Sequence, residues 1–193
     1  ATAQPAPLPT ASAASRPRHD NDIRFANLSL DQGLSQSVVQ AIWQDVQGFL
    51  WLGTQDGLNR YDGISFRVFK NDPADPSSLS NNYVYSIAED THGSLWIGTA
   101  GGLSRYDPST ERFQSFFHDP NEPNTPSSDA VGDVLVDGAG ILWAGTVSQG
   151  LNRFDGTTWT RYFPDPDDPT SLSSGAVAAL YEDADGTLWV GTT

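Results

Sequence analysis

The sequence contains no cysteine in its 193 residues, which excludes a disulfide framework and a thiolate metal site. That absence is compatible with an oxidising compartment without requiring one. Basic residues are scarce: 10 Lys and Arg stand against 24 Asp and Glu, for a formal charge of −14. A surface this negative repels phosphate backbones and anionic lipid headgroups, which argues against nucleic-acid partners and against direct membrane contact. No apolar run approaches the ~20 residues that a membrane-spanning helix needs. Histidine occurs only as His19, His92 and His118, and none is grouped with a serine and an acid in a catalytic motif. No glycine-rich phosphate loop is present. Neither a catalytic residue, a metal site nor a cofactor is expected.

What the sequence has in abundance is repetition. The pattern Asp-x-x-Gly-x-Leu-Trp-x-Gly-Thr occurs four times, the first copy with Phe49-Leu50 before its Trp. Its fixed positions are Asp45, Gly48, Trp51 and Gly53; Asp90, Gly93, Trp96 and Gly98; Asp137, Gly140, Trp143 and Gly145; Asp183, Gly186, Trp189 and Gly191. The four Trp residues lie 45, 47 and 46 residues apart. A period near 46 identifies one supersecondary unit copied into an array.

Within the unit, an apolar-rich run such as Val39 to Gln44 or Val84 to Glu89 is short and uncapped, and reads as a strand. Asp-x-x-Gly then makes a tight turn, its Asp accepting nearby backbone N–H groups and its Gly adopting positive φ. Phe49 to Thr54, Leu58 to Asp62 and Phe66 to Phe69 are the second, third and fourth strands. Four short antiparallel strands per ~46 residues is the signature of a β-propeller blade. The blades are joined by repeated Asp-Pro-containing loops, Asn71 to Asn82, His118 to Asp129 and Pro164 to Gly175. Proline cannot continue a ladder, so these read as ordered connections.

The expected fold is therefore all-β, an incomplete propeller of about three and a half four-stranded blades. The organisation is a disordered Ala/Pro/Ser-rich tail at 1–22, a ring-closing outer strand and loop at 23–38, and blades at 39–83, 84–130 and 131–176. Residues 177–193 supply the first half of a fourth blade. Propellers usually close with four to eight blades, so the chain reads as part of a longer protein. Its start at Ala1 reads as the residue left when a leader is removed, or as the edge of a larger piece.

The repeat resembles that of the two-component regulator propeller family, whose pattern (V/I)-x-x-I-x-(E/Q)-D-x-x-G-x-(L/I)-W-(I/F/V)-G-T is followed by G-G-L-x-R-(Y/F)-D. The match runs through residues 23 to 193, and Gly48-Phe49-Leu50-Trp51-Leu52-Gly53-Thr54 followed by Gly57-Leu58-Asn59-Arg60-Tyr61-Asp62 looks like the family's first repeat. The resemblance implies the extracytoplasmic sensor region of a membrane-bound sensor histidine kinase, on the periplasmic side of a bacterial inner membrane. A diguanylate cyclase is the alternative output. It also implies a small-molecule or oligosaccharide ligand, further blades and signalling domains in the same chain, and a homodimeric parent. A propeller-fold lyase, or a structural or adhesion propeller, is the competing reading. The lyase requires a His/Glu-type pair near the channel, which these blades do not show.

Recurrence argues for architecture, because one ligand does not need the same group from every blade. The Trp series is accordingly expected to pack blade against blade, and the Asp series to form turns rather than bind calcium, which needs six to eight oxygens. Arg60, Arg105 and Arg153 are expected to form structural pairs, each with the Asp two residues on sharing its sheet face. A site should lie where copies differ, on the face that collects the inter-blade loops and the turns between second and third strands. The ligand-binding candidates there are Gln55, Asp56, Asn81, Asn82, Ala100, Asp129, Ser148, Gln149 and Ser173. Short polar residues of this kind suit a neutral polyhydroxylated ligand.

Overall fold

A computed structural model describes residues 26–193. The tail expected at 1–22 and residues Ile23 to Phe25 of the expected outer strand lie outside the described residues. The rest forms three four-stranded antiparallel sheets and one two-stranded sheet, each with strands in sequence order. The first holds β1 (Val39–Gln44), β2 (Leu50–Thr54), β3 (Gly57–Tyr61) and β4 (Phe66–Phe69). The second holds β5 (Val84–Glu89), β6 (Leu95–Thr99), β7 (Gly102–Asp107) and β8 (Arg112–Phe116). The third holds β9 (Val131–Val136), β10 (Leu142–Thr146), β11 (Leu151–Phe154) and β12 (Trp159–Tyr162), and the fourth β13 (Val177–Glu182) and β14 (Leu188–Thr192). The first strands of successive sheets abut, as blades arranged about an axis must.

The outer strand expected in 23–38 is described only from Ala26 onward. Ala26 to Ser29 carry no strand pairing, and Leu30–Gln32 is a 3-10 turn. A strand needs a ladder partner, and among the described residues no sheet edge pairs with this segment. Local bonds take over instead: the Ser29 amide donates to Gln32 Oε1 at 2.7 Å, and Gly33 ends the turn at φ 105°.

The Asp of each repeat organises more than its turn. Asp45 Oδ1 accepts from the Gln47 and Phe49 amides at 3.0 and 2.9 Å, while Oδ2 accepts from the Trp51 indole at 2.7 Å. Asp137 and Asp183 hold Trp143 and Trp189 in the same way, at 2.8 and 2.7 Å. In the second copy Asp90 keeps the turn but gives Oδ2 to Arg105 at 3.0 Å.

Those rings then fill the seams between sheets. Trp51 stacks on Phe69 of its own sheet and meets Tyr106 of the next edge-on, with centroids 4.9 Å apart. Trp96 repeats the arrangement with Phe116 and with Phe154 of the third sheet. Trp51 and Trp96 are 1% and 5% exposed, whereas Trp143 is half-buried and Trp189 is 61% exposed. The gradient follows how much of a following sheet covers each ring. The seams also need glycine: a Cβ on Gly53 would lie 2.5 Å from Val84, and one on Gly98 2.7 Å from the Val131 carbonyl oxygen.

The expected Arg–Asp pairing holds only for Arg153 and Asp155, at 3.7 Å. Arg60 crosses the seam to Glu111 at 3.2 Å, and Arg105 turns to Asp90. Asp62 and Asp107 instead cap their own turns, accepting from the Ser65 and Ser109 amides at 2.7 and 2.8 Å. Short-range backbone donors capture an Asp before a longer side chain can reach it.

Candidate functional site

The expected face is assembled by one recurring backbone bond. The Gly57, Gly102 and Gly150 amides, in the turns between second and third strands, donate to the carbonyls of Asn82, Asp129 and Gly175, each at 2.7 Å. Every inter-blade loop is thereby tied to the turn of the sheet it leaves. Beneath each tie lies a polar cluster. Ser35 Oγ lies 2.9 Å from Thr54 Oγ1, and Asn59 both accepts from the Ser35 amide and donates to its hydroxyl. Ser80, Thr99 and Ser104 repeat it, as do Ser127 and Asn152 beside Thr146. These buried hydroxyls are satisfied by one another, which makes them scaffold rather than ligand groups.

The nine candidates divide on this frame. Gln55, Ser148 and Gln149 are exposed. Gln55 Nε2 donates to the Tyr83 hydroxyl at 3.1 Å. Asp56 is ion-paired with Lys70 at 2.7 Å. The side-chain oxygens of Asn81, Asn82 and Asp129 are engaged by the Tyr83, Asn71 and His118 amides at 2.8, 2.7 and 2.6 Å. Ala100 contributes only its amide, which donates to the Tyr83 carbonyl. Ser173 occupies the scaffold place of Ser35, Ser80 and Ser127, its hydroxyl 2.6 Å from Thr192 Oγ1.

Sequence reasoning missed a cluster beside Gln55. Tyr83 and Tyr85 pack ring against ring, centroids 4.7 Å apart, and Gln40 Nε2 also donates to the Tyr83 hydroxyl at 3.3 Å. Positions 83 and 85 are aromatic in this copy alone: the others have Val38, Ala130 and Ala176, and Gln40, Gly132 and Ala178. That departure was the available signal, hidden because Tyr83 borders and Tyr85 lies within a run, Val84 to Glu89, that reads simply as a strand. Two half-buried rings flanked by two amides offer a stacking surface with hydrogen-bond donors at its edge.

Clefts elsewhere have different origins. One of ≈ 750 Å³ is lined by Trp143, Leu151, Tyr162, Phe163 and Leu188. It lies in the seam between third and fourth sheets, the place that Tyr106 and Phe154 fill against Trp51 and Trp96. Another, of ≈ 490 Å³, is lined by His92, Arg105 and Asp107. His118 forms no acid–base pair: its Nδ1 faces the Pro126 carbonyl at 2.8 Å, which makes it the donor.

An open run of propeller blades with a loop-built polar face is thus the class of protein the fold defines. The chain carries the repeat of the family described as "Two component regulator propeller", matched at residues 78–101 and 171–193. It is similar to the extracellular domain of a putative hybrid two-component system, BT3049, from B. thetaiotaomicron: 28% identical, TM-score 0.77, covering 86% of this chain and 24% of that one. The extracellular domain of a second such system, BT4673, is 27% identical with TM-score 0.69, over 83% of this chain and 21% of that one. Histidine kinase P4 of Formosa agariphila is 47% identical over 55 residues, which are 28% of this chain and 4% of the kinase. The chain therefore spans about a quarter or less of each relative. Among the described residues no helix is long and apolar enough to cross a membrane.

Proposed function

We propose that this chain is part of the non-catalytic, extracytoplasmic ligand-sensing propeller of a membrane-bound sensor histidine kinase, on the periplasmic face of a bacterial inner membrane. The observation that carries the reading is the likeness, at 28% identity over 86% of the chain, to the extracellular domain of a hybrid two-component system. The ligand is a neutral polyhydroxylated small molecule or oligosaccharide. It is received on the face that holds Gln55, Ser148 and Gln149, with Tyr83 and Tyr85 as the stacking surface beside Gln55. Burial of a ring against the tyrosines and hydrogen bonds to the flanking amides would supply the affinity.

Binding would act by biasing the arrangement of blades and further domains, and so the output domain. The polar scaffold makes that face stiff, so a ligand touching two sheets favours one relative placement of them. Calorimetric titration of the chain with maltoheptaose, inulin and xylooligosaccharides tests the reading. Binding by one of them that Tyr83→Ala and Gln55→Ala weaken at least tenfold, and His92→Ala leaves unchanged, is the expected result. Binding that survives both substitutions would place the ligand elsewhere.

A further inference from the structure

At the ends of the sheets opposite the inter-blade loops, two of the three seams are bridged by carboxylates that the following sheet supplies. At the first seam Glu89 accepts from the Val46 amide and the Trp43 indole at 3.2 and 3.1 Å. Glu111 accepts there from Arg60 Nη1 at 3.2 Å and also pairs with Arg67. At the third seam Glu182 accepts from the Gly138 amide at 2.7 Å. The second seam is built differently. Val136 stands in the place of Glu89 and Glu182. The hairpin that presents Glu111 runs from Tyr106 to Phe113, whereas its counterpart in the third sheet runs only from Phe154 to Trp159 and has no residue in the place of Glu111.

The donors are nevertheless present in the second seam, where they line a cleft of ≈ 420 Å³. Arg105, the counterpart of Arg60, gives Nη2 to Asp90 and Ser94 at 3.0 and 3.1 Å, while its Nε is buried without an acceptor among the described residues. In each other copy the repeat Trp donates its indole N–H to the repeat Asp. With Asp90 taken by Arg105, the Trp96 indole has no acceptor among the described residues. Thr91 and Gln114, which replaces Arg67 as the cross-strand partner of the arginine, line the same cleft. Phe116 and Phe154, with ring centroids 5.8 Å apart, give it an aromatic wall. The acids on its rim are already engaged, Asp90 by Arg105 and Asp155 by Arg153 and the Thr157 and Thr158 amides.

We propose that this cleft binds a small carboxylate carried on a ring, the carboxylate serving Arg105 and the Trp96 indole as Glu111 and Glu89 serve Arg60 and Trp43, and the ring lying against Phe116 and Phe154. A hydrogen bond from a guanidinium to a carboxylate is roughly twice as strong as a neutral one, and the aromatic wall offers the ring a stacking surface. The cleft falls within the range of small-molecule sites, about 300–1,000 Å³. A uronic acid and an aromatic acid share the required chemistry. Either would tie the second sheet to the third as Glu111 ties the first to the second. The cleft lies at the far end of the strands from Gln55 and Tyr83, so it does not depend on the ligand proposed for the loop face.

The test is an amide and indole NMR titration of the chain with sodium galacturonate and with sodium 4-hydroxybenzoate, each beside its uncharged alcohol, galactose and 4-hydroxybenzyl alcohol. At least one acid should move the Trp96 indole and Thr91 amide signals saturably, and which acid does so tells a sugar ring from an aromatic one. The alcohols should leave them in place. Arg105→Gln should weaken binding by about tenfold or more, the loss expected for one hydrogen bond to a charged group. Val136→Glu, which gives the second seam the carboxylate its neighbours have, should block the acid while keeping a cooperative melt. Tyr83→Ala should bind the acid as the unmodified chain does, which separates this outcome from that of the loop face. The proposal is overturned if neither acid moves those signals, or if the alcohols or sodium sulfate at equal ionic strength move them as far. It is equally overturned if folded Arg105→Gln and Val136→Glu bind the acid as tightly as the unmodified chain, or if the shifts are confined to Gln55 and Tyr83.

Discussion

Replacing Trp51 with alanine and, separately, Trp189 with alanine separates packing from any ligand role of the repeat. Trp51 is 1% exposed, packs on Phe69 and Tyr106, and has Arg60 5.8 Å over its ring. Truncating a buried Trp costs about 3–5 kcal/mol in lost burial and cavity. Loss of the bond to Asp45 adds about 1 kcal/mol. Trp189 makes the equivalent bond to Asp183 but is 61% exposed, so its loss should stay near about 1 kcal/mol. For a domain of this size the first change should lower Tm by roughly 10 °C and the second by a few degrees. Far-UV circular dichroism melts read both without relying on the removed fluorophore. Equal losses would refute the seam account, and a loss of ligand affinity without loss of stability at Trp51 would point to a binding role instead.

Three further outcomes follow from the same geometry. Gly98→Ala, whose Cβ would sit 2.7 Å from the Val131 carbonyl, should destabilise by about 1–3 kcal/mol, while Gly191→Ala, with nothing nearer than 3.5 Å, should be tolerated in a chemical denaturation series. Glu89→Ala frees the Val46 amide and Trp43 indole and should cost about 1–3 kcal/mol, visible as a lower urea midpoint. Acid should destabilise the chain: Asp62, Asp107, Asp155 and Asp183 are held below the usual range chiefly by hydrogen bonds from Ser65, Ser109, Thr158 and Trp189. Their contribution is present above the unfolded value and is lost as pH falls below about 4.

The four-stranded blade was legible because its signals are local: apolar runs, Asp-x-x-Gly turns and a fixed period. Pairing across distance was not. Sequence marked Asp45 as a turn former but could not show its second oxygen on the indole six residues away. Ser173 reads as a ligand candidate because small polar residues cluster in loops; its engagement with Thr192 exists only once the turn is folded beneath it. Tyr83 and Tyr85 drew no attention because Val84 to Glu89 reads only as a strand, and alternation does not reveal which edge of a sheet faces its centre.

The central claim is that these blades serve a membrane-bound sensor, and the reading frame that encodes them tests it most directly. Sequencing the transcript that contains the codons for Ala1 to Thr193 should reveal further copies of the repeat, then one membrane-spanning helix and histidine-kinase motifs. A stop codon directly after a final blade, with no membrane helix or signalling domain, would contradict it.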